Sequence, residues 1–166
     1  MDIYWLENNL GIKLATATRP RGNDWLEDDI HSARAAGVGV MVSLLEEPEA
    51  LELGLSMEAH ICKQENIEFI PFPIPDYGVP ASLARVQELA ERLYRKGLAG
   101  SIAVHCRQGV GRSSLIAACV LVRAGMNPDA AFEAIRKARG VSVPDTTSQT
   151  EWVSRFADFT SAKVRL

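Results

Sequence analysis

Two rhythms of apolar residues alternate along the chain. Short runs rich in Val, Ile and aromatic residues lie at 3–6, 13–18, 38–44, 67–72 and 101–105, each with the length of a strand. The run at 38–44 is apolar almost without a break, which suits a strand covered on both faces. Between the runs, helical spacing predicts helices over 25–36, 48–53, 56–65, 81–97, 113–124 and 129–139, with a last helix reaching about 162. In the first, Asn23 or Asp24 is the expected cap, Trp25, Ile30 and Ala33 share one face, and Gly37 ends it. Leu83, Val86, Leu89, Ala90 and Leu93 form the apolar stripe of 81–97, bracketed at its end by Gly97 and Gly100. In 113–124 the stripe is Leu115, Ala118, Cys119 and Val122, so Cys119 reads as core. Asn127 caps the helix that opens with Pro128 at its first position. Strand–helix alternation of this kind predicts an α/β fold.

One strand-to-helix junction carries candidate chemistry. The run Ser101–His105 stops at Cys106, a loop with Gly109 and Gly111 follows, and a helix opens after Arg112. A glycine-bearing loop at a helix start is a phosphate cradle, because unpaired backbone N–H groups and the helix dipole favour an anion there. The same donors and Arg112 favour the thiolate of Cys106, which is the nucleophilic form. Arg112 can grip two phosphate oxygens with its planar fork. The Ser113 hydroxyl can donate to the sulfur and stabilise it as a leaving group. Arg107, Gln108, Gly109, Val110 and Gly111 complete the loop as candidate substrate-binding residues, and His105 is placed to orient the cradle or tune Cys106.

The second candidate is the loop Pro71-Phe-Pro73-Ile-Pro75-Asp76-Tyr77-Gly78-Val79-Pro80, where prolines stiffen the backbone around one acid. Asp76 reads either as a general acid or as an aspartate that stabilises its own turn. Arg19 and Arg21 either face a phosphorylated ligand or sit on a solvated loop. Glu46 and Glu47, just past the third strand, read as helix-start acids before Pro48, with the alternative that one of them orients an arginine.

Composition narrows the class. The 166 residues are 47 % hydrophobic and 23 % charged, as in one globular domain spanning 1–166. A net charge of −3 argues against a general nucleic-acid or membrane-surface partner. The longest apolar run is too short to span a bilayer, and the start of the chain has no signal-peptide pattern. Three cysteines without a Cys-x-x-Cys pair fit a reducing, cytoplasmic setting. The three histidines lack metal-ligand spacing, so neither a metal nor another cofactor is expected.

The stretch His105-Cys106-x-x-Gly109-x-x-Arg112-Ser113 resembles the signature of the cysteine-dependent protein phosphatases. Asp145-Thr146-x-x-Gln149 is similar to a segment of their small atypical dual-specificity members. The resemblance implies a central, mostly parallel sheet of four to five strands flanked by helices on both faces. It implies that Asp76 is the general acid, that Cys106 forms a phosphocysteine, and that Gln149 helps place the hydrolytic water rather than lying exposed on the first turn of the last helix. It implies a shallow site that accepts phosphotyrosine, with phosphoserine and phosphothreonine as further candidates, in a protein or peptide partner; a monomer is the default expectation. A phosphoinositide, inositol phosphate or RNA 5′-phosphate is the alternative substrate, and a non-catalytic phosphate-binding protein the alternative class. Some relatives guard the nucleophile with a second cysteine, for which Cys62 is the candidate.

Overall fold

The structure is a computed structural model that describes the backbone of residues 1–164 and the side chains of 1–162. Among them, five strands make one sheet in the order β1-β2-β5-β3-β4. Strand β1 (Ile3–Trp5) pairs antiparallel with β2 (Lys13–Ala17). The strands β2, β5 (Ser101–His105), β3 (Val40–Ser43) and β4 (Glu68–Pro71) run parallel. The helices are α1 (Leu26–Ala35), α2 (Glu47–Glu52), α3 (Glu58–Gln64), α4 (Leu83–Ala99), α5 (Arg112–Arg123), α6 (Pro128–Arg139) and α7 (Thr147–Val164). The α/β class and the helices on both faces are as the sequence indicates.

The two-residue period of a strand divides the core in two. Leu14, Val42, Ile102 and Val104 point into one cluster with Leu93 of α4, Leu115 of α5, Ile135 of α6 and Phe156 of α7. Their neighbours Ala15, Met41 and Ala103 point the other way, onto Ile30 of α1 and Cys62 of α3. Helix α5 is buried from Arg112 to Leu121, which explains why it is apolar on more than one stripe. Gly97 lies inside α4 rather than at its end. A Cβ there would run into Ile12, so glycine lets α4 press close to the sheet.

Two expectations about the first helix fail. Asn23 and Asp24 do not cap it. They form a 3₁₀ turn with Trp25, in which Asn23 takes the left-handed conformation (φ 54°) and donates its N–H to the Gly54 carbonyl. Trp25 is 56 % exposed and lies under the Arg21 guanidinium at 4.6 Å, while Leu26, Ile30 and Ala33 carry the apolar face.

The parallel strands β3, β4 and β5 all deliver their C-terminal ends to one edge, where a ligand-binding crevice is expected. Backbone bonds continue past the strands there. Leu44 N–H donates to the His105 carbonyl, and Ile74 N–H to the Leu44 carbonyl, both at 3.0 Å. These bonds tie the proline-rich loop to the strand that ends at the cysteine.

Candidate active site

The cradle is shaped by its contacts with three other segments. Gly109 has φ 71°, and a Cβ on it would stand 2.5 Å from the Ala17 carbonyl oxygen at the end of β2. Only glycine fits that turn without displacing the strand. Arg139, the last residue of α6, lies 3.8 Å over the Tyr4 ring and donates to the carbonyls of Gly109 (2.8 Å) and Gln108 (3.2 Å). Gly111, the N-cap of α5, faces Asp145 and Gln149 with no room for a side chain.

Cys106 is 4 % exposed, and its Sγ lies 3.5 Å from the Oγ of Ser113, within hydrogen-bonding reach. Arg112 is fully buried apart from its tip. Its Nη1 and Nη2 each donate to one oxygen of Glu49 at 2.8 Å, and Nη1 also donates to the Ile74 carbonyl at 3.0 Å. Asp76 Oδ1 makes an ion pair with Nη2 at 2.8 Å. Burial opposes the guanidinium's charge, but Glu49, Cys106 and Asp76 more than offset it and hold Arg112 cationic. The hydrogen bonds from Arg112 in turn hold the Glu49 carboxyl below its usual range.

Asp76 stabilises its own turn and also faces the cradle. Its Oδ1 accepts the N–H of Tyr77, closing a turn in which Tyr77 has φ 55°, while the same carboxylate faces the cradle through Arg112. Asp76, Tyr77, Cys106, Arg107, Gln108, Val110, Arg112 and Asp145 line one small bowl. Asp145 is raised above the ordinary carboxylate range by partial burial and by the charge of Asp76.

His105 is not in the bowl. It is wholly buried beneath the cradle, with Nδ1 3.3 Å from the Cys106 carbonyl. Its Nε2 stands 2.8 Å from Oε1 of Glu58, an ion-pair distance without the alignment of a hydrogen bond. Burial disfavours the imidazolium, yet the Glu58 charge outweighs it and raises His105 above its usual range. His105 therefore orients the cradle from behind rather than touching a bound phosphate. Gln149 is also fully buried, not exposed on its helix, and its amide is bonded to backbone on both sides of the bowl rather than open to it.

Three residues that hold the site were not found from sequence. Glu49 takes the arginine-orienting part considered for Glu46 and Glu47. Glu58 and Arg139 brace the cradle from α3 and α6. Arg21 does not face the bowl, since it is bound to Asp29 at 2.6 Å and to Trp25. Arg19 reaches the cradle only through its backbone, whose N–H donates to the Arg107 carbonyl at 3.4 Å. Cys62 is buried on the opposite face of the sheet from the cluster that holds Cys106, so it cannot guard that thiol as the molecule stands. Among the described residues, no group of three or more His, Cys, Asp or Glu side chains is placed to hold a metal ion.

A cysteine at the floor of an N–H-lined loop, with a clamped arginine and a facing acid, is the equipment of phosphate-ester cleavage through sulfur. Residues 12–160 match the family described as PTP-SAK, Swiss Army Knife protein, DSP-PTPase phosphatase domain. The chain belongs to this family. The match covers nearly the whole chain, so the domain is a DSP-PTPase phosphatase domain by family. It is 34 % identical over 114 residues to protein tyrosine phosphatase domain-containing protein 1 of Danio rerio, which covers 68 % of this chain and 15 % of that protein. It is 28 % identical over 113 residues to phosphatidylglycerophosphate phosphatase PTPMT1 of Arabidopsis thaliana, covering 67 % and 32 %. The chain thus spans less than a third of the length of either relative. Its fold is similar to that of kinase associated phosphatase with the catalytic site cysteine substituted by serine, with a TM-score of 0.88 at 22 % identity over 98 % of this chain and 97 % of that one.

Proposed function

We propose that this PTP-SAK domain removes phosphate from phosphotyrosine in proteins through a phosphocysteine intermediate. The observation that carries the reading is the shared bowl of Cys106, Arg112 and Asp76, with Arg112 fixed by Glu49. In the first step the Cys106 sulfur bonds to phosphorus as the ester P–O bond breaks, and Asp76 gives its proton to the departing oxygen. Arg112 and the loop N–H groups bind the non-bridging oxygens, where charge accumulates. In the second step water bonds to phosphorus, its proton passes to Asp76, and the sulfur leaves next to the Ser113 hydroxyl. Cys106 supplies the electron pair of the first step and water that of the second, and the proton Asp76 gives up in the first is returned by water in the second.

Two features support an aromatic phosphomonoester of a protein over a polyanionic headgroup. Arg107, the one cation added to the loop beyond Arg112, already faces Glu49 at 3.3 Å and Glu52 at 3.5 Å, so the charge the loop adds is balanced by carboxylates rather than left for a second phosphate. Tyr77, 65 % exposed beside Asp76, offers a flat surface at the rim for an aromatic ring. The likeness to a phosphatidylglycerophosphate phosphatase supports a second reading, a lipid monophosphate. The three free thiols support a reducing, cytoplasmic setting, and a monomer is the simplest state.

The test is a substrate panel run with chelator present on the parent, Cys106→Ser and Asp76→Asn proteins. It contains phosphotyrosine, phosphoserine and phosphothreonine peptides, phosphatidylglycerophosphate and phosphoinositides. We expect the highest kcat/KM on phosphotyrosine peptides, none in Cys106→Ser, and in Asp76→Asn a loss concentrated on substrates with poor leaving groups. Preference for the lipids would replace the protein reading. A parent that binds phosphopeptides without turnover would replace it with the non-catalytic class.

A further inference from the structure

The buried side chain with the most unusual set of partners is Gln149. It lies on the first turn of α7, where Thr146 Oγ1 accepts its backbone N–H at 3.2 Å. Its own Oε1 accepts the N–H groups of Thr146 (3.3 Å) and Asp145 (3.1 Å). This reciprocal exchange is a capping box, the pairing that Thr-x-x-Gln makes at a helix start. The box uses up the amide oxygen. The amide nitrogen then crosses the bowl and donates to the Gly78 carbonyl at 3.1 Å.

Gly78 ends the turn that carries the acid. Its N–H donates to the Pro75 carbonyl at 2.8 Å, so Asp76 and Tyr77 are the two central residues of a closed four-residue turn. The other end of the loop is anchored by Ile74, which is fully buried and whose carbonyl accepts from Arg112. Between Ile74 and Pro80, two side-chain contacts hold the exposed turn toward the cradle: the Asp76–Arg112 ion pair and the bond from Gln149 to Gly78. An amide whose oxygen already accepts two backbone N–H groups has little capacity left to orient a water.

We propose that Gln149 is the latch of the acid loop: a positioning residue that holds the turn at Asp76 in place over the cradle by bonding the Gly78 carbonyl. The inference rests on the phosphatase reading for its kinetic consequence, and on geometry alone for its mechanical one. The latch acts through Asp76, in the first step where that carboxyl meets the leaving oxygen and in the second where it takes the proton from water.

The test uses Gln149→Glu and Gln149→Met on the full chain. Gln149→Glu keeps an acceptor for the Asp145 and Thr146 N–H groups and replaces the donor to Gly78 by an acceptor that repels that carbonyl. Gln149→Met removes both arms. Two readouts are taken. By hydrogen exchange, the segment from Asp76 to Val79 in Gln149→Glu should lose about tenfold in protection, the worth of one hydrogen bond, with α5 unchanged. In kinetics with a series of aryl phosphates, kcat/KM should fall roughly tenfold more for phenyl phosphate than for a dinitrophenyl ester, and combining the change with Asp76→Asn should add nothing for phenyl phosphate. Unchanged exchange in the loop with an active parent overturns the latch and leaves the phosphatase reading standing. Looser exchange in a parent that turns over no phosphate supports the latch as a mechanical device and overturns the phosphatase reading. A burst of phenol with phosphocysteine accumulating in Gln149→Glu, at unchanged loop exchange and unchanged kcat/KM for phenyl phosphate, shows that the residue serves water in the second step alone and overturns the latch. Should Gln149→Met fail to fold, Gln149→Glu alone decides the outcome.

Discussion

Replacing Glu49 by glutamine alters charge while conserving shape, so its effect measures what holds Arg112. The guanidinium is 2 % exposed and donates to both Glu49 oxygens at 2.8 Å. A glutamine can accept from one Nη, but it turns an NH2 donor toward the other. Removing one member of a buried ion pair costs about 3–5 kcal/mol. The Ile74 carbonyl and Asp76 remain as partners for the charge, so about 3 kcal/mol is the expected loss, at the low end of that range. With a urea dependence of about 2 kcal/mol per molar, the unfolding midpoint drops by about 1.5 M. A displaced Arg112 should also lower kcat/KM on a small aryl phosphate by about 10². The sign of the pH dependence follows from Glu49, whose folded carboxyl lies below its ordinary value of 4.5. A depressed carboxyl contributes stability that is present above pH 4.5 and is lost as pH falls through the folded value. The gap between parent and Glu49→Gln should therefore be full at pH 7 and close as the solution is acidified below pH 4.5. Equal urea midpoints at pH 7, together with kcat/KM within twofold, would falsify the claim that Glu49 fixes the arginine.

Two further outcomes follow from the buried groups. Glu58→Gln leaves the His105 imidazolium without a counter-charge and should cost about 3 kcal/mol, again as a broken buried pair. Because His105 is raised above 6.5 in the folded chain, that contribution is complete below pH 6.5 and is lost as pH rises through the folded value. Urea titrations of both proteins at pH 6 and pH 9 check it, and a gap that widens at pH 9 refutes it. In native thiol labelling followed by mass spectrometry, Cys106 should be modified first and be protected by inorganic phosphate. Cys62 is pushed up to about 12 by burial and by Glu58, and burial also raises Cys119 well above 9.0, so both should stay unlabelled until the chain unfolds. Labelling of Cys62 as fast as Cys106 counts against the packing of α3 described above.

The parts of the molecule legible in the sequence are those fixed by neighbours along the chain. The strand, loop and helix around Cys106 are local, and so are the parallel strand pattern and the turn at Asp76. The clamps were illegible because they join residues that only the sheet brings together. Glu49 meets Arg112 across 63 positions, and nothing in Pro48-Glu49-Ala50 marks that carboxylate apart from Glu46 and Glu47. Glu58 lies in an ordinary helical segment, and its burial follows from β5 passing behind α3. Trp25 misled because its spacing matches an apolar face, whereas the 3₁₀ turn ahead of α1 swings it out to solvent. Gln149 is the instructive case. Thr146-x-x-Gln149 is a capping box readable from residue types alone, and such a box occupies the amide oxygen.

The contacts of Arg112 bear on which of its donors a ligand can reach. Its outer edge, where Nη2 faces the bowl, is held by Asp76. On the phosphatase reading proposed above, an anion that settles into the loop competes with the aspartate for that edge. Docking and arming would then be one event, with the carboxylate released from the arginine beside the ester oxygen. Free phosphate, the product on that reading, competes for the same edge, so product inhibition is the expected outcome.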